Sequence, residues 1–434
     1  MDKKEPTVAK SRGTPRGMRL HIGLFGRRNV GKSSLLNAFT RQEVSIVSAR
    51  AGTTTDPVEK PMELLPLGPV QFIDTAGIDD TGALGALRVA RTRKIFDRTD
   101  LAVLVAEAPD WGTFEEEILA EFARRETPLV VAFNKADRHL PPPELVKRLR
   151  GQRVQVVETS AVTGAGLAEL RSALIAASPE DFINTPAILG DLLEPGRPVV
   201  LVVPIDKEAP KGRLILPQVQ AIRDILDHDA WCLVVKEGDL RTALGQLRRP
   251  PVLVVTDSQA FEKVAADTPS NIPLTSFSIL FARFKGDLQE YVRGALAMER
   301  LHSGDAVLVA EACSHHPIGE DIGRVKIPRW LSQFVGGRLK FSHVQGHDFP
   351  DDLSPYRLVI QCGSCMINRR EVLSRIWRCR QAGVPVTNYG LAIACSLGIL
   401  ERALAPFPSA LSLLKENKSP QRRKARKGNQ NAER

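Results

Sequence analysis

One stretch, Gly26-Arg27-Arg28-Asn29-Val30-Gly31-Lys32-Ser33, constrains this chain more than any other. It fits the pattern Gly-x4-Gly-Lys-Ser/Thr, and its context agrees: an apolar run at residues 20–26 precedes it and a helical pattern at residues 32–39 follows. In that setting the glycines let backbone N–H groups turn inward on phosphate oxygens, and the helix N-terminus adds a favourable dipole. Gly26, Asn29, Val30, Gly31, Lys32, Ser33 and Ser34 are the expected phosphate-side residues. Lys32 is expected to reach the β- and γ-phosphates, and the Ser33 hydroxyl to ligate Mg²⁺.

Three further signatures follow in order, each after an apolar run. Asp74-Thr75-Ala76-Gly77 supplies a carboxylate that can hold Mg²⁺ through water, and a Gly77 N–H for the γ-phosphate. Asn134-Lys135-Ala136-Asp137 supplies Asp137, whose carboxylate can accept from guanine N1–H and the guanine amino group. Adenine lacks that donor pair, so the motif selects GTP over ATP. Ser160-Ala161 can present a backbone N–H to the guanine carbonyl, and the polar loop Gly52-Thr53-Thr54-Thr55-Asp56 is of the kind that closes over Mg²⁺. Together these make coincidence negligible and predict a P-loop domain that binds and hydrolyses GTP.

These motifs resemble the GTPases of the TrmE–Era–EngA group. The resemblance implies that Thr54 is the switch Mg²⁺ ligand beside Ser33 and Asp74, with Lys32 and Gly77 on the phosphates. Ile78 stands where Ras-like proteins carry a catalytic Gln, and an apolar side chain cannot orient water. It also implies that Asn29 helps to hold a K⁺ ion, which would supply positive charge beside the phosphates. A plain bracing role for Asn29 is the alternative.

Apolar runs alternate with helical stretches through most of the chain, which predicts an α/β fold with a mostly parallel sheet in the P-loop domain. Ser178-Pro179 ends the first set and Pro186, Pro195 and Pro198 follow. The expected domains are a P-loop GTPase domain at 20–178 and two smaller α/β domains at 180–270 and 271–412. Hydrophobic and charged contents of 43% and 25% suit a globular chain. The net charge of +10 sits in the ends: residues 1–19 carry six Lys or Arg against two Asp or Glu, and residues 415–434 eight against two. The segments 1–19 and 413–434 are therefore expected to be disordered basic tails, and the neutral body gives no nucleic-acid signal. No apolar run reaches the ~18 residues of a membrane span and no secretory signal is read, so a cytoplasmic location is expected.

Six cysteines in a large chain of this kind do not form a disulfide framework. Cys362-Gly363-Ser364-Cys365 lies where a strand hands over to a helix, and Cys313 lies after another strand, 49 positions earlier. If those strands are neighbours, the three sulfurs converge at the carboxyl end of a sheet. Gly363 permits N–H···S bonds, and His315 or His316 is near enough to be a fourth ligand. Spacing alone leaves three readings: a [4Fe–4S] cluster with one exchangeable iron, a Cys₃His zinc site, or a redox pair with Cys313 unrelated. Cys232, Cys379 and Cys395 read as ordinary buried thiols.

The three-part order, with Cys313-x-His315 and then Cys362-x-x-Cys365, resembles the [FeFe]-hydrogenase maturation GTPases, the HydF family, over about residues 20–410. The family often has His before the second cysteine pair; here that residue is Gln361, which leaves His315, an acidic residue, water or a bound iron species as fourth ligand. The resemblance implies a scaffold that binds a [4Fe–4S] cluster on Cys313, Cys362 and Cys365 and receives a diiron precursor made by two radical-SAM maturases. It delivers that unit to the apo-[FeFe]-hydrogenase. It also implies homodimerisation through the middle domain. The alternative is an Era-like GTPase of ribosome or RNA maturation with a structural zinc site.

Overall fold

Leu20–Phe25 (β1) is buried along its whole length, as a central strand covered on both faces must be. A computed structural model describes residues 14–42, 58–75, 94–183, 186–205, 214–312 and 321–417. It divides the chain into two units, Met1–Thr185 and Pro186–Arg434. In the first, β1 is joined by β2 (Val58–Leu64), β3 (Gly68–Asp74), β4 (Leu101–Ala106), β5 (Leu129–Phe133) and β6 (Gln155–Glu158). Among the described residues these form a six-stranded sheet in the order β2-β3-β1-β4-β5-β6. Only β2 runs antiparallel to its neighbour.

Alternation along each strand builds two cores. Leu20, Ile22 and Leu24 join Val103, Val105, Val130 and Ala132 on one face. Phe25 joins Leu104, Ala106, Val131 and Phe133 on the other. The chain leaves β1 with β3 on one side and β4 on the other, so the strand order reverses there and a crevice opens at the carboxyl ends. The P-loop and the guanine motif both stand at those ends.

The second unit holds two four-stranded parallel sheets among its described residues. The first is β10-β9-β7-β8, from β7 (Pro198–Val202), β8 (Trp231–Val235), β9 (Leu253–Thr256) and β10 (Leu274–Ser276). The second is β12-β11-β13-β14, from β11 (Ala306–Glu311), β12 (Lys340–Gln345), β13 (Leu358–Gln361) and β14 (Val386–Asn388). The first sheet thus runs past residue 270, where the sequence placed a boundary, because β10 is only three residues long and carries no readable period.

The helix Phe277–Lys285 follows β10 directly and packs on the helix Tyr389–Ser396 of the other half. A Cβ on Gly390 would stand 2.8 Å from the Ser278 Cβ, so glycine is what permits this approach. Asn388 Nδ2 donates to Ser278 O at 2.8 Å and Gly390 N–H to Ser278 Oγ at 3.1 Å across the same seam.

The sequence did not disclose β2, β10, β12 or the helix Phe277–Lys285. β2 contains Pro61, tolerable because the strand lies at the sheet edge. β12 is an edge strand without full burial. The helix Phe277–Lys285 is apolar nearly all round, so it shows no one-sided stripe.

Candidate functional site

The phosphate loop is built from two strained glycines and one left-handed asparagine. Gly26 has φ +143° and a Cβ there would meet the Val105 carbonyl at 2.1 Å. Gly31 has φ +89° and a Cβ there would meet Asn134 Nδ2 at 2.4 Å. Asn29 has φ 64°, a region that Asn tolerates better than most residues. Its side chain is exposed and makes no hydrogen bond among the described residues, so a bracing role for that side chain finds no contact here.

Lys32 is buried and its ammonium already lies inside the loop, donating to Gly26 O at 2.7 Å and Arg27 O at 2.6 Å. Ser33 Oγ, in the first turn of the helix Lys32–Gln42, donates to Asp74 Oδ2 at the end of β3 at 2.5 Å, so the two oxygens expected at Mg²⁺ converge. Burial raises the Asp74 carboxyl, and the Ser33 hydroxyl and Lys32 charge pull it back only in part. A divalent cation suits a partly desolvated carboxylate beside a hydroxyl. Thr75 Oγ1 ties the same strand end to Leu24 O at 2.5 Å.

The guanine side is joined to the phosphate side by direct bonds. Asn134 is buried; its Nδ2 donates to Val30 O at 2.8 Å and its Oδ1 accepts from Ala161 N–H at 3.3 Å. Lys135 Nζ donates to Asn29 O at 2.9 Å and pairs with Glu107. Ser160 Oγ donates to Asp137 Oδ1 at 2.5 Å, which holds the Asp137 carboxyl below its ordinary range and keeps it an acceptor. Gly26, Asn29, Val30, Gly31, Lys32, Ser33, Ser34, Asp74, Asn134, Lys135, Asp137, Ser160 and Ala161 therefore stand around one crevice of the first unit. Thr54, Gly77 and Ile78 lie outside the described residues.

One member of this site was not legible beforehand. Arg27 makes a bidentate bond to the buried Glu115 at 2.8 and 2.9 Å, and Glu115 also accepts from Gly112 N–H at 2.9 Å. The loop is thereby anchored to the helix Thr113–Arg124. Arg27 occupies an "x" of the motif, and its partner is 88 residues away.

In the second unit β11 and β13 are parallel neighbours, with Ala310 opposite Gln361. Cys362 N–H donates to Ala310 O at 3.0 Å. The Cys362 sulfur accepts from Ala312 N–H at 3.1 Å and Ser364 N–H at 3.4 Å. Residue 312 thus touches the Cys362 sulfur, and Cys313 is the next in the chain. Cys313, His315 and His316 themselves lie outside the described residues. Among the described residues no group of three or more His, Cys, Asp or Glu stands ready to hold a metal.

Burial pushes the Cys362 thiol up, against the pull of its two N–H donors. It pushes Cys365 to about 11, with Cys362 beside it adding to the rise. Both thiol exchange and metal ligation use the thiolate, so a bound cation would have to offset the cost of burial here. The N–H···S donors are of the kind that stabilise metal-bound thiolate.

The surroundings are polar and buried. Glu311 accepts from Tyr389 Oη at 3.2 Å and Gln345 Nε2 at 3.3 Å, and Gln361 Oε1 accepts from Tyr291 Oη at 3.4 Å. Lys285 is 2% exposed, and its ammonium donates to three carbonyls of the cysteine loop. Burial lowers it to about 8, though both thiols oppose that fall. Sequence reading missed Lys285, since it stands in a helix that reading did not find.

Fold and site together define a P-loop GTPase with two further α/β domains. Residues 21–135 match the model of the 50S ribosome-binding GTPase family. Residues 188–286 match the hydrogen maturase F dimerization domain, and residues 289–406 the hydrogen maturase F tetramerization domain. The chain belongs to the hydrogen maturase F, or HydF, family.

Among curated proteins, GTPase Der of Campylobacter jejuni is 36% identical over 156 residues, covering 33% of this chain and 34% of Der. The tRNA modification GTPase MnmE of Nostoc sp. is 35% identical over 247 residues, covering 55% of this chain and 49% of MnmE. The chain thus spans about a third of Der's length and about half of MnmE's. Among solved structures, the G domain of the T. maritima FeoB iron transporter is 27% identical, covering 37% of this chain and 98% of that one, with a TM-score of 0.29. No helix among the described residues is long and apolar enough to cross a membrane.

Proposed function

We propose that this chain is a GTP-hydrolysing scaffold for metallocluster assembly. It binds a [4Fe–4S] cluster and a diiron precursor, and delivers the diiron unit to the apo-[FeFe]-hydrogenase. The observation that carries the reading is the parallel pairing of β11 with β13, which puts residue 312 against the Cys362 sulfur in a HydF-family chain. Cys313, Cys362 and Cys365 would hold the cluster, with His315 or an exogenous group as fourth ligand. Bound there, the cluster supplies an iron with an exchangeable coordination position. The N–H groups of Ala312 and Ser364 orient the Cys362 sulfur, and the buried wall formed by Glu311, Gln361 and Tyr389 limits water access.

In the first unit, Lys32 takes the β- and γ-phosphates, Ser33, Thr54 and Asp74 hold Mg²⁺, and Asp137 reads guanine. GTP state then tunes partner association, with the radical-SAM maturases and the hydrogenase as partners in the cytoplasm. Homodimerisation is supported by β8, the edge strand of its sheet. There Trp231 and Val234 are exposed, as are Val219 and Leu226 on the helix Leu216–Asp227. A second copy docked along this edge would cover these side chains.

Anaerobic reconstitution with iron and sulfide tests the scaffold reading. The wild-type chain should turn brown, run as a dimer or larger in light scattering, and show a reduced-cluster electron paramagnetic resonance signal. Cys362→Ala should lose that signal. A colourless wild-type protein that retains stoichiometric zinc would sink the reading.

Asn29, whose exposed side chain makes no hydrogen bond among the described residues, is offered as the K⁺ ligand. GTP hydrolysis is expected to be faster in KCl than in NaCl at matched ionic strength, and Asn29→Ala should abolish the difference. Equal wild-type rates in the two salts would remove the K⁺ site.

A further inference from the structure

Lys285 closes the helix Phe277–Lys285, within the dimerization-domain match, yet its ammonium is spent on the cysteine loop of the next domain. Nζ donates to Ser364 O at 3.0 Å, Cys365 O at 3.3 Å and Ile367 O at 2.7 Å, across 79 to 82 residues of sequence. Three donors meet three carbonyls, so its hydrogen bonding is complete. Among the described residues no carboxylate forms an ion pair with it, although the side chain is 2% exposed; the Glu371 carboxylate, engaged by His347 and Arg375, attracts it without contact.

A buried cation without a counter-charge in contact is costly, and carbonyl dipoles offset only part of that cost. Beyond Glu371, which is ionised already, the neighbouring groups that can become anionic are the sulfurs of Cys362 and Cys365, which ionise when they ligate metal. Ser364, between them, holds φ 53°, a conformation that the bond from Lys285 to its carbonyl helps to secure. Arg369 Nη1 adds a second tie from the loop's far side to the same helix, at Phe284 O, 2.7 Å away.

We propose that Lys285 is the charge-compensating and positioning residue of the cysteine loop. It fixes three loop carbonyls, and its charge favours the more negative oxidation state of the metal–thiolate unit. The inference rests on the cluster reading. When a [4Fe–4S] cluster takes up one electron from an external reductant, no bond in the protein breaks and the site becomes more negative by one charge. A fixed cation held on the cysteine loop would stabilise the product of that step more than the reactant. It should therefore raise the midpoint potential. The contact also makes the cluster loop depend on a helix rooted in β10, so a shift of that helix would be felt at the metal.

The test uses the full chain, reconstituted anaerobically, as wild type, Lys285→Gln and Lys285→Arg, each checked by thermal melting. Midpoints are read by potentiometric titration with electron paramagnetic resonance detection. The Gln variant is expected to shift to a more negative midpoint, with the Arg variant near wild type. A Gln variant that binds the same iron at the wild-type midpoint overturns the proposal. If the Gln variant takes up no iron, retention in the Arg variant supports the charge role, and equal loss in both overturns it. A wild-type chain that stays colourless overturns the cluster reading, and this inference falls with it.

Discussion

Lys32→Ala is expected to slow GTP hydrolysis by at least about 10³-fold in single-turnover assays, and to weaken binding of a fluorescent GDP analogue. The side chain is 7% exposed, and its ammonium is held by the carbonyls of Gly26 and Arg27 before any nucleotide arrives. Such a group needs little reorganisation to meet phosphate oxygens. Losing one preorganised donor from a charge-stabilising site costs roughly 10²–10³ in rate. Lys32 is a full charge in a partly desolvated loop, where attraction to phosphate exceeds that of a neutral donor. Two neighbouring cations are already engaged, Arg27 by Glu115 and Lys135 by Glu107. Turnover within tenfold of wild type would remove Lys32 from the phosphate role.

The second large effect is on stability. Glu371 is buried in the helix Arg369–Gln381 and accepts from Arg375 Nη2 at 2.6 Å. His347 Nδ1 stands 2.8 Å from its other oxygen. Burial alone would raise this carboxyl, but His347 and Arg375 outweigh it and hold it at about 2, against an ordinary 4.5. Glu371→Ala is expected to destabilise the second unit by about 3–5 kcal/mol, the usual result of removing one member of a buried pair. Arg375 would keep Gly346 O at 2.5 Å and the Phe349 ring at 5.3 Å, but no carboxylate partner among the described residues.

The pH dependence follows from the direction of the shift. Because the folded carboxyl is depressed, its contribution is fully present above the unfolded value near 4.5 and is lost as pH falls through about 2. At about 1.4 kcal/mol per pH unit, the contribution is about 3 kcal/mol. The wild-type advantage over Glu371→Ala in denaturant unfolding should therefore narrow between those two pH values. An advantage that stays constant over the window would rule out this carboxylate as its source.

The nucleotide site was legible because its chemistry is local. One contiguous loop supplies the backbone donors for phosphate, so Gly26 through Ser33 had to appear together and in order. The proposed guanine contacts likewise come from short runs, Asn134–Asp137 and Ser160-Ala161, each at a strand end. The bonds that join these runs were not legible. Asn134 to Val30 and Arg27 to Glu115 span 104 and 88 residues, and neither partner carries a spacing that marks it.

In the cysteine domain the balance reverses. The Cys362-x-x-Cys365 spacing announced a metal or thiol pair but could not separate cluster, zinc and redox readings. Burial raises both thiols, which leaves those readings side by side, since each of them needs the thiolate or its metal-bound form. Convergence with the end of β11 was conditional on strand order, which no local pattern encodes. Lys285 was invisible because a lysine ending an apolar helix normally turns to solvent; here the helix docks against the other sheet and the ammonium meets three carbonyls instead.

The amino-acid sequence by itself determined the P-loop GTPase class, the order of its motifs and the alternation that yields three α/β regions. These depend on neighbours in the chain and on periods of a few residues. Only the tertiary structure decided which strand ends lie side by side, which charges lose their water and which distant group balances them. Those outcomes follow from the summed packing of whole sheets and helices, so they belong to no single segment. The P-loop is accordingly a site written in one place, whereas the cysteine loop is completed by β11, β13 and a lysine from the preceding domain.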